Sequence, residues 1–129
     1  MRLNIAKHIY AVLSTDTTVN SYVNGNLFPV ATKVEKAFPL ILYERDSAVS
    51  HYTKDGPADM ETTATVFVVT EDYTQGVTIA EAVIAALERK EAHYDELDVV
   101  DCVHVGSVEG FQDRSFIQQI QFNFITIIN

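Results

Sequence analysis

The sequence predicts an α+β fold in which a mostly antiparallel sheet of about five strands is covered by helices on one face. Apolar residues recur at helical spacing near the start of the chain and again over residues 77–87, and strand-like runs lie between and after them. The predicted order is two helices, three strands, one helix and two strands. With 129 residues and 47% hydrophobic content, the chain suits a single domain over residues 1–129 that needs no metal or disulfide for folding.

The start of the chain predicts two helices and an edge strand. Apolar residues over 3–14 have the spacing of an amphipathic helix. Ser14-Thr15-Asp16 offers capping side chains for a second short helix, and Asn24-Gly25 ends it, because both residues tolerate the left-handed conformation. Leu27-Phe28-Pro29-Val30 predicts a strand at the sheet edge, since its proline cannot donate to a ladder on both sides.

The next segment predicts two strands separated by a long loop. Phe38–Arg45 is apolar on both faces and then turns polar, as in a strand that runs from the interior outwards. Residues 46–60 contain Asp-Gly-Pro and few apolar groups, which indicates a loop, and Met60–Thr70 has the pattern of a returning strand. Loops of this length tend to be functional or disordered, so we expect this one to contact a partner. The expected contact residues are His51, Tyr52, Lys54 and Asp55.

The second half of the chain predicts one helix followed by two strands. The helix carries an apolar stripe over residues 77–87. Leu97–Val108 and Phe116–Ile128 predict strands, with a hairpin turn over 110–114. One face of the last strand is apolar, and three polar side chains occupy its other face: Gln119, Gln121 and Asn123. The second sheet face is therefore wet or covered by a partner, and these three residues join the candidate interface.

Residues 66–84 run from strand through a one-glycine loop to helix, which is also the outline of a phosphate-binding crossover. Such loops need several glycines and a lysine, or the spacing G-x-G-x-x-G. Gly76 stands alone, and the acidic side chains of the loop would repel a phosphate. The favoured interpretation is structural: Asp72 or Thr74 caps the helix, or Thr78–Glu81 forms a capping box, and Gly76 serves the turn.

The histidines and the cysteine indicate neither a metal site nor a nucleophile. The histidines lie on different segments without metal-ligand spacing: His8, His51, His93 and His104. His93-Tyr94-Asp95 after the helix is a possible acid–base pair, although polar residues occupy such loops by default. Cys102 alternates with Val103 on a strand, which favours a small buried core residue.

Acidic residues around the long loop offer a second interpretation as paired carboxylates. Glu44 and Asp46 lie at a strand end beside Arg45, and Asp55 and Asp59 lie across the loop. The alternative is a solvated hairpin whose ion pairs contribute little. We expect no catalytic residues, no metal and no cofactor.

The charge balance disfavours direct nucleic-acid binding. Eighteen acidic and nine basic side chains give a formal charge of -9, and this field repels phosphates. It permits a surface past which DNA slides. No run approaches the roughly 18 apolar residues of a membrane span, no signal-peptide pattern occupies the first residues, and one cysteine closes no internal disulfide, so we expect a soluble protein made in a reducing compartment.

Over roughly residues 26–128 the pattern resembles the tail terminator or tail completion proteins of long-tailed phages and prophages. Its carriers are Asn26–Pro29, Phe38–Tyr43, the polar segment with glycine, Thr65–Val69 and above all Asp72–Leu87 with its form A-x-x-V-x-x-A-L. These are patterns of fold rather than reactive motifs, so no catalytic residues carry over.

The resemblance implies a structural virion protein, assembled in the bacterial host cytoplasm, that forms a hexameric ring at the head-proximal end of the tail tube. The implied partners are further copies of itself, the tail tube protein and a head–tail connector or neck protein, with DNA passing through unbound. A domain of this length approximates a sphere of about 18 Å radius, and six such spheres enclose a hole of about the same radius. A duplex of roughly 10 Å radius fits that hole, whereas four spheres leave only roughly 7 Å.

Two other interpretations stay open at this point. One is a different neck protein, a connector or stopper, in an adjacent tier. The other is a small α+β enzyme or ligand-binding module that uses His93, Asp95 or the carboxylates around Glu44, which would require those groups to converge in a pocket.

Overall fold

A computed structural model describes residues 4–29 and 38–129 of the chain. These residues form three helices and six strands, and the strands make one sheet in the order β1-β2-β3-β6-β5-β4. In chain order the elements are α1 Ile5–Thr15, α2 Thr17–Val23, β1 Leu27–Pro29, β2 Leu40–Thr53, β3 Gly56–Thr70, α3 Tyr73–Leu87, β4 Ala92–His93, β5 Leu97–Gln112 and β6 Ser115–Ile128. The predicted α+β class is confirmed, with one strand more than expected.

The helices pack on one face of the sheet, here called the inner face. Alternate residues of β3 (Ala64, Val66 and Val68) share a buried cluster with side chains of all three helices, such as Ile9 and Ile79. The opposite face is the outer face. Because successive residues of a strand point to opposite sides, the odd-numbered residues of β3 lie on the outer face.

The N-terminal helices begin and end where the sequence predicts. Asn4 Oδ1 accepts from the N–H of Lys7 at 3.3 Å, and Asp16 Oδ1 caps α2 by accepting from the N–H of Val19 at 2.9 Å. Asn24 ends α2 in the left-handed conformation with φ of 50°. β1 is a short edge strand parallel to β2, as predicted, and the predicted fourth residue, Val30, lies outside the described residues.

The predicted loop over residues 46–60 is wrong. β2 and β3 pair from Leu40 opposite Val69 out to Thr53 opposite Gly56, and only two residues, 54 and 55, make the turn. Both faces of this hairpin are exposed towards its tip, so the sequence there has no alternation to reveal a strand. Pro57 pairs with Tyr52 on β2 and has no β6 partner on its other side, because β6 pairs with β3 only from Met60 onwards; a proline is tolerated at such an edge.

Two smaller differences concern the strands that follow α3. The predicted turn over residues 110–114 is too long, because β5 continues to Gln112 and only Asp113 and Arg114 turn, with φ of 51° and 63°. Positive φ at both central residues is the geometry of a two-residue hairpin turn. β4 consists of two residues paired with β5, too short for a periodic signal.

One row of paired residues crosses five strands and relates the two sides of the sheet. Ser50 pairs with Met60, Met60 with Thr126, Thr126 with Val99, and Val99 with Ala92. At the β2 side of the sheet, the β2–β3 turn lies just beyond this row. At the opposite side, β4 itself lies on the row. The turn and β4 therefore share one end of the sheet.

The first turn of α3 approaches the end of β3 closely. Asp72 caps the helix by accepting from the N–H of Gln75 at 2.8 Å, which confirms Asp72 rather than Thr74 as the cap. Gly76 lies inside the helix and not in the turn before it, so that part of the prediction is wrong. A Cβ on Gly76 would lie 2.8 Å from Thr70 Oγ1, whose hydroxyl donates to the carbonyl of Asp72 at 2.7 Å.

We expect Gly76→Ala to destabilise the protein by about 1–2 kcal/mol, because overpacking against Thr70 outweighs the helix propensity gained. Urea unfolding measures the change. Adding Thr70→Ala should make the Gly76→Ala change cost less than it does alone, and Gly110→Ala, where a Cβ meets no atom within 4 Å, serves as the control. A stability gain in Gly76→Ala would contradict the close approach.

Candidate assembly interface

The four predicted contact residues of the central segment lie together at the tip of the β2–β3 hairpin. Residues 51–59 extend past the last β6 pair and form a projection, here called the arm. Tyr52 has an exposed fraction of 69%, and Lys54 and Asp55 occupy the turn. Among the described residues neither of these two charges has an ion-pair partner. The arm thus presents an aromatic ring beside two unpaired charges.

The base of the arm carries a loose group of charges on the outer face. His51 Nδ1 lies 3.9 Å from Asp59 Oδ1, and its Nε2 lies 3.9 Å from Glu61 Oε1. All three side chains are about half exposed, so these contacts contribute little to stability. They leave the arm free to form new contacts at small cost.

The three predicted polar residues of β6 lie on the outer face, as expected. Gln119 is exposed and pairs with Phe67 on β3, while Asn123 is half-buried and pairs with Thr63. Gln121 lies between them in the same stripe. The side-chain oxygen of Asn123 is buried and has no hydrogen-bond partner within the described part of the chain.

The structure does not bring the two predicted groups together. Asn123 is opposite Thr63 and Gln119 is opposite Phe67, so they lie about 13 Å and about 26 Å along β3 from Asp59 in the arm. The arm and the polar stripe are therefore separate surfaces, and each has room for a different neighbour.

The sequence does not single out a set of exposed apolar side chains on β5. Beyond β4 this strand has four exposed apolar side chains: Val103, Val105, Val108 and Phe111. Near the start of β5, the backbone N–H of Arg89 donates to the Cys102 carbonyl at 2.7 Å. After that point no described strand pairs with the edge of β5 that faces away from β6. The alternation of apolar residues predicts the strand. It does not reveal that some of these apolar side chains face solvent.

The carboxylates proposed as a pair are not assembled into one site. Glu44 lies beside Asp46, and burial, followed by the charge of Asp46, raises the pKa of Glu44. The hydroxyl of Thr65 donates to Asp46 at 2.5 Å. Asp59 in the arm is opposite His51, about six residues or roughly 20 Å further along β2, and Asp55 lies further out in the turn. Glu44 and Asp46 therefore lie together, whereas the carboxylates of the arm do not join them.

The other predicted reactive residues have structural partners. His93 contacts Asp98 rather than Asp95, and Tyr94 contacts His8 instead. Cys102 is fully buried, and burial raises the pKa of its thiol to about 12, which confirms the predicted core role. Within the described ranges no three metal-binding side chains converge, and no helix there is long and apolar enough to cross a membrane.

His8 is a buried histidine held neutral by its surroundings. Its Nδ1 lies 2.8 Å from the hydroxyl of Tyr94, and its ring makes edge contacts with Tyr94 and Phe124. Its Nε2 has no partner among the described residues. Burial, reinforced by the positive charge of Lys90, lowers the pKa of His8 to about 4.

We expect this histidine to make stability depend on pH. Since the folded pKa of about 4 lies below the unfolded value of 6.5, the unfolded chain takes up the proton first as the pH falls. The stabilisation of the folded state by neutral His8 is fully present above pH 6.5. The free energy of unfolding falls by about 3 kcal/mol as the pH falls to about 4. His8→Phe should remove this part of the pH dependence when the free energy of unfolding is measured in urea at several pH values. Equal slopes in the wild type and His8→Phe would contradict the assignment.

These features define a small α+β protein with several uncovered surfaces and no gathered catalytic groups among its described residues. The chain belongs to the family of tail completion protein gp17, whose sequence profile matches residues 7–129. The predicted resemblance is confirmed, and the family makes the chain a structural protein of a phage-type virion tail.

The fold is also similar to that of a solved chain from the virion of a native gene transfer agent particle. The two superpose with a TM-score of 0.81 at 13% sequence identity, over 94% of this chain and 92% of that chain. At this identity the likeness concerns the fold. No curated protein sequence matches the chain.

Proposed function

We propose that the protein forms a hexameric ring at the head-proximal end of the tail tube, where it ends tube growth and provides the surface to which the head joins. The family match over residues 7–129 is the observation that carries this proposal. The tail tube protein and a head–tail connector or neck protein are the partners on the two sides of the ring. The virion is the site of action, after assembly in the bacterial host.

The separation of the exposed surfaces supports a ring. A cyclic assembly larger than a dimer needs two different patches on each subunit, one meeting the other on the neighbour. The arm lies at the β2–β3 side of the sheet, and the exposed apolar side chains of β5 lie towards the opposite side. The two sides of each subunit thus expose different groups, as head-to-tail contacts between neighbouring copies require.

The outer face supports a further contact with another virion protein. Gln119 is exposed, and Gln121 and Asn123 are half-buried. Side-chain amides form hydrogen bonds with donors and acceptors alike. We assign this stripe to a tail or neck partner rather than to the neighbouring copy, because the arm and the stripe lie on different parts of the sheet.

The net charge supports passage of DNA through the ring. A formal charge of -9 per copy repels phosphates, so a duplex would move past the wall without forming stable contacts.

Native mass spectrometry of the purified chain, with negative-stain microscopy, tests the ring. We expect hexamers with an open centre. Replacing residues 51–59 by Asn-Gly, which joins the paired residues Ser50 and Met60 through a two-residue turn, should give folded monomers. As a control, Asn-Gly in place of Asp113-Arg114 alters the turn at the other end of the sheet and should leave the ring intact.

Two results would count against these assignments in different ways. Unchanged hexamers in the shortened variant would overturn the role of the arm alone. A wild-type protein that stays monomeric at high concentration would overturn the ring itself.

A further inference from the structure

A cavity of about 340 Å³ opens between α1, the C-terminal end of α3 and β4. Four small apolar residues, two charged residues, Thr15 and Tyr94 line it. The apolar residues are Ala11, Val12, Ala86 and Ala92, and the charged ones are Lys90 and Asp16. This cavity is called the α1–β4 groove. Alanines at three of these positions leave space that a larger ring can enter.

The groove and the arm have matching chemistry. Lys90 is exposed and has no ion-pair partner within the described residues, and the same holds for Asp55 in the arm. Tyr52 combines a large apolar ring with a hydroxyl, which suits a contact that is apolar inside and polar at its edge. An aromatic ring beside charges of both signs thus faces solvent on the arm, and a hollow lined by small apolar residues and by charges of both signs, Lys90 and Asp16, lies on another surface.

The register of the sheet places the two surfaces at the same level. Ala92 in the groove ends the row that begins at Ser50, and Tyr52 lies two residues beyond Ser50. Across the sheet, β2 and β4 are four strand positions apart, or about 19 Å. An arm therefore projects from one side of the subunit, and a groove opens near the other side at the same end. Two different surfaces at one end of the subunit are what a cyclic assembly needs in order to pair one copy with the next.

We propose that the arm of each copy docks in the α1–β4 groove of its neighbour, with Tyr52 in the apolar hollow and Asp55 beside Lys90. The inference rests on the proposed ring and names the contact that closes it. The occupant is a second copy of this chain.

Cross-linking of paired cysteines tests the contact directly. The variant Tyr52→Cys with Ala92→Cys, treated with a short bifunctional maleimide, should give a ladder of covalent species that ends at the hexamer. The ladder arises because each copy is bridged to two neighbours through different residues. Buried Cys102, with a pKa of about 12, does not compete for the reagent.

The matched control keeps the arm cysteine and moves the second one. Ala85 is exposed on α3 beside Ala86 but does not line the groove, so Tyr52→Cys with Ala85→Cys should give no ladder. Each single cysteine variant should give at most dimers. A ladder in the Ala85 variant equal to that in the Ala92 variant would overturn the assignment, and so would a cross-link confined to single chains.

Charge reversal provides a second measurement that introduces no cysteine. We expect Asp55→Lys and Lys90→Asp each to weaken the hexamer at least tenfold in dissociation concentration, and the double variant to restore most of it. Circular dichroism confirms that each variant is folded. If the wild type forms hexamers and the double variant is no better than the singles, the groove assignment fails while the ring stands; a monomeric wild type overturns both.

Discussion

The pairing of β3 with β6 fixes where each exposed surface of the protein lies. These central strands are paired from Met60 opposite Thr126 to Thr70 opposite Phe116. Their inner residues, including Ala64, Val66 and Phe122, are fully buried under the helices. A slip of one residue would exchange the inner and outer faces and expose this core, so the burial of these side chains specifies the register.

The other surfaces follow from this register. Because β6 ends soon after Thr126, the β2–β3 hairpin continues without it and becomes the arm. Because β5 pairs with β6 on its other side, β4 and the α1–β4 groove lie at the same end as the arm. The polar stripe of β6 is uncovered because the helices all pack on the inner face. A small core thus determines three surfaces that face different directions.

Much of the fold is predictable from the sequence, because burial leaves a periodic pattern. α3 and β6 each have one buried and one exposed face, and their apolar spacing predicts both elements. The arm leaves no such pattern, since both of its faces meet solvent, and its Asp-Gly-Pro is as typical of loops as of hairpin tips. The place of Gly76 inside α3 is not predictable from the sequence. The glycine is required there by the close packing of α3 on Thr70 of β3, and local sequence patterns do not report such packing.

The exposure of the candidate interface residues is predictable from the sequence, and their arrangement is not. Tyr52 and the β6 stripe were identified as polar or aromatic groups at positions where a core would not use them, and both are accessible in the structure. The groove and the exposed valines of β5 were missed. Their existence depends on which elements lie side by side, and the sequence gives no register between β4 and the hairpin.

The most direct test of the proposed function is the length distribution of tails assembled with and without this chain. Electron microscopy of particles from a producing strain that lacks the chain should show tubes of broad and excessive length without heads. Supplying the wild-type protein should restore one length and a ring at the head-proximal end. Tails of normal, uniform length joined to heads in the absence of the chain would contradict the account.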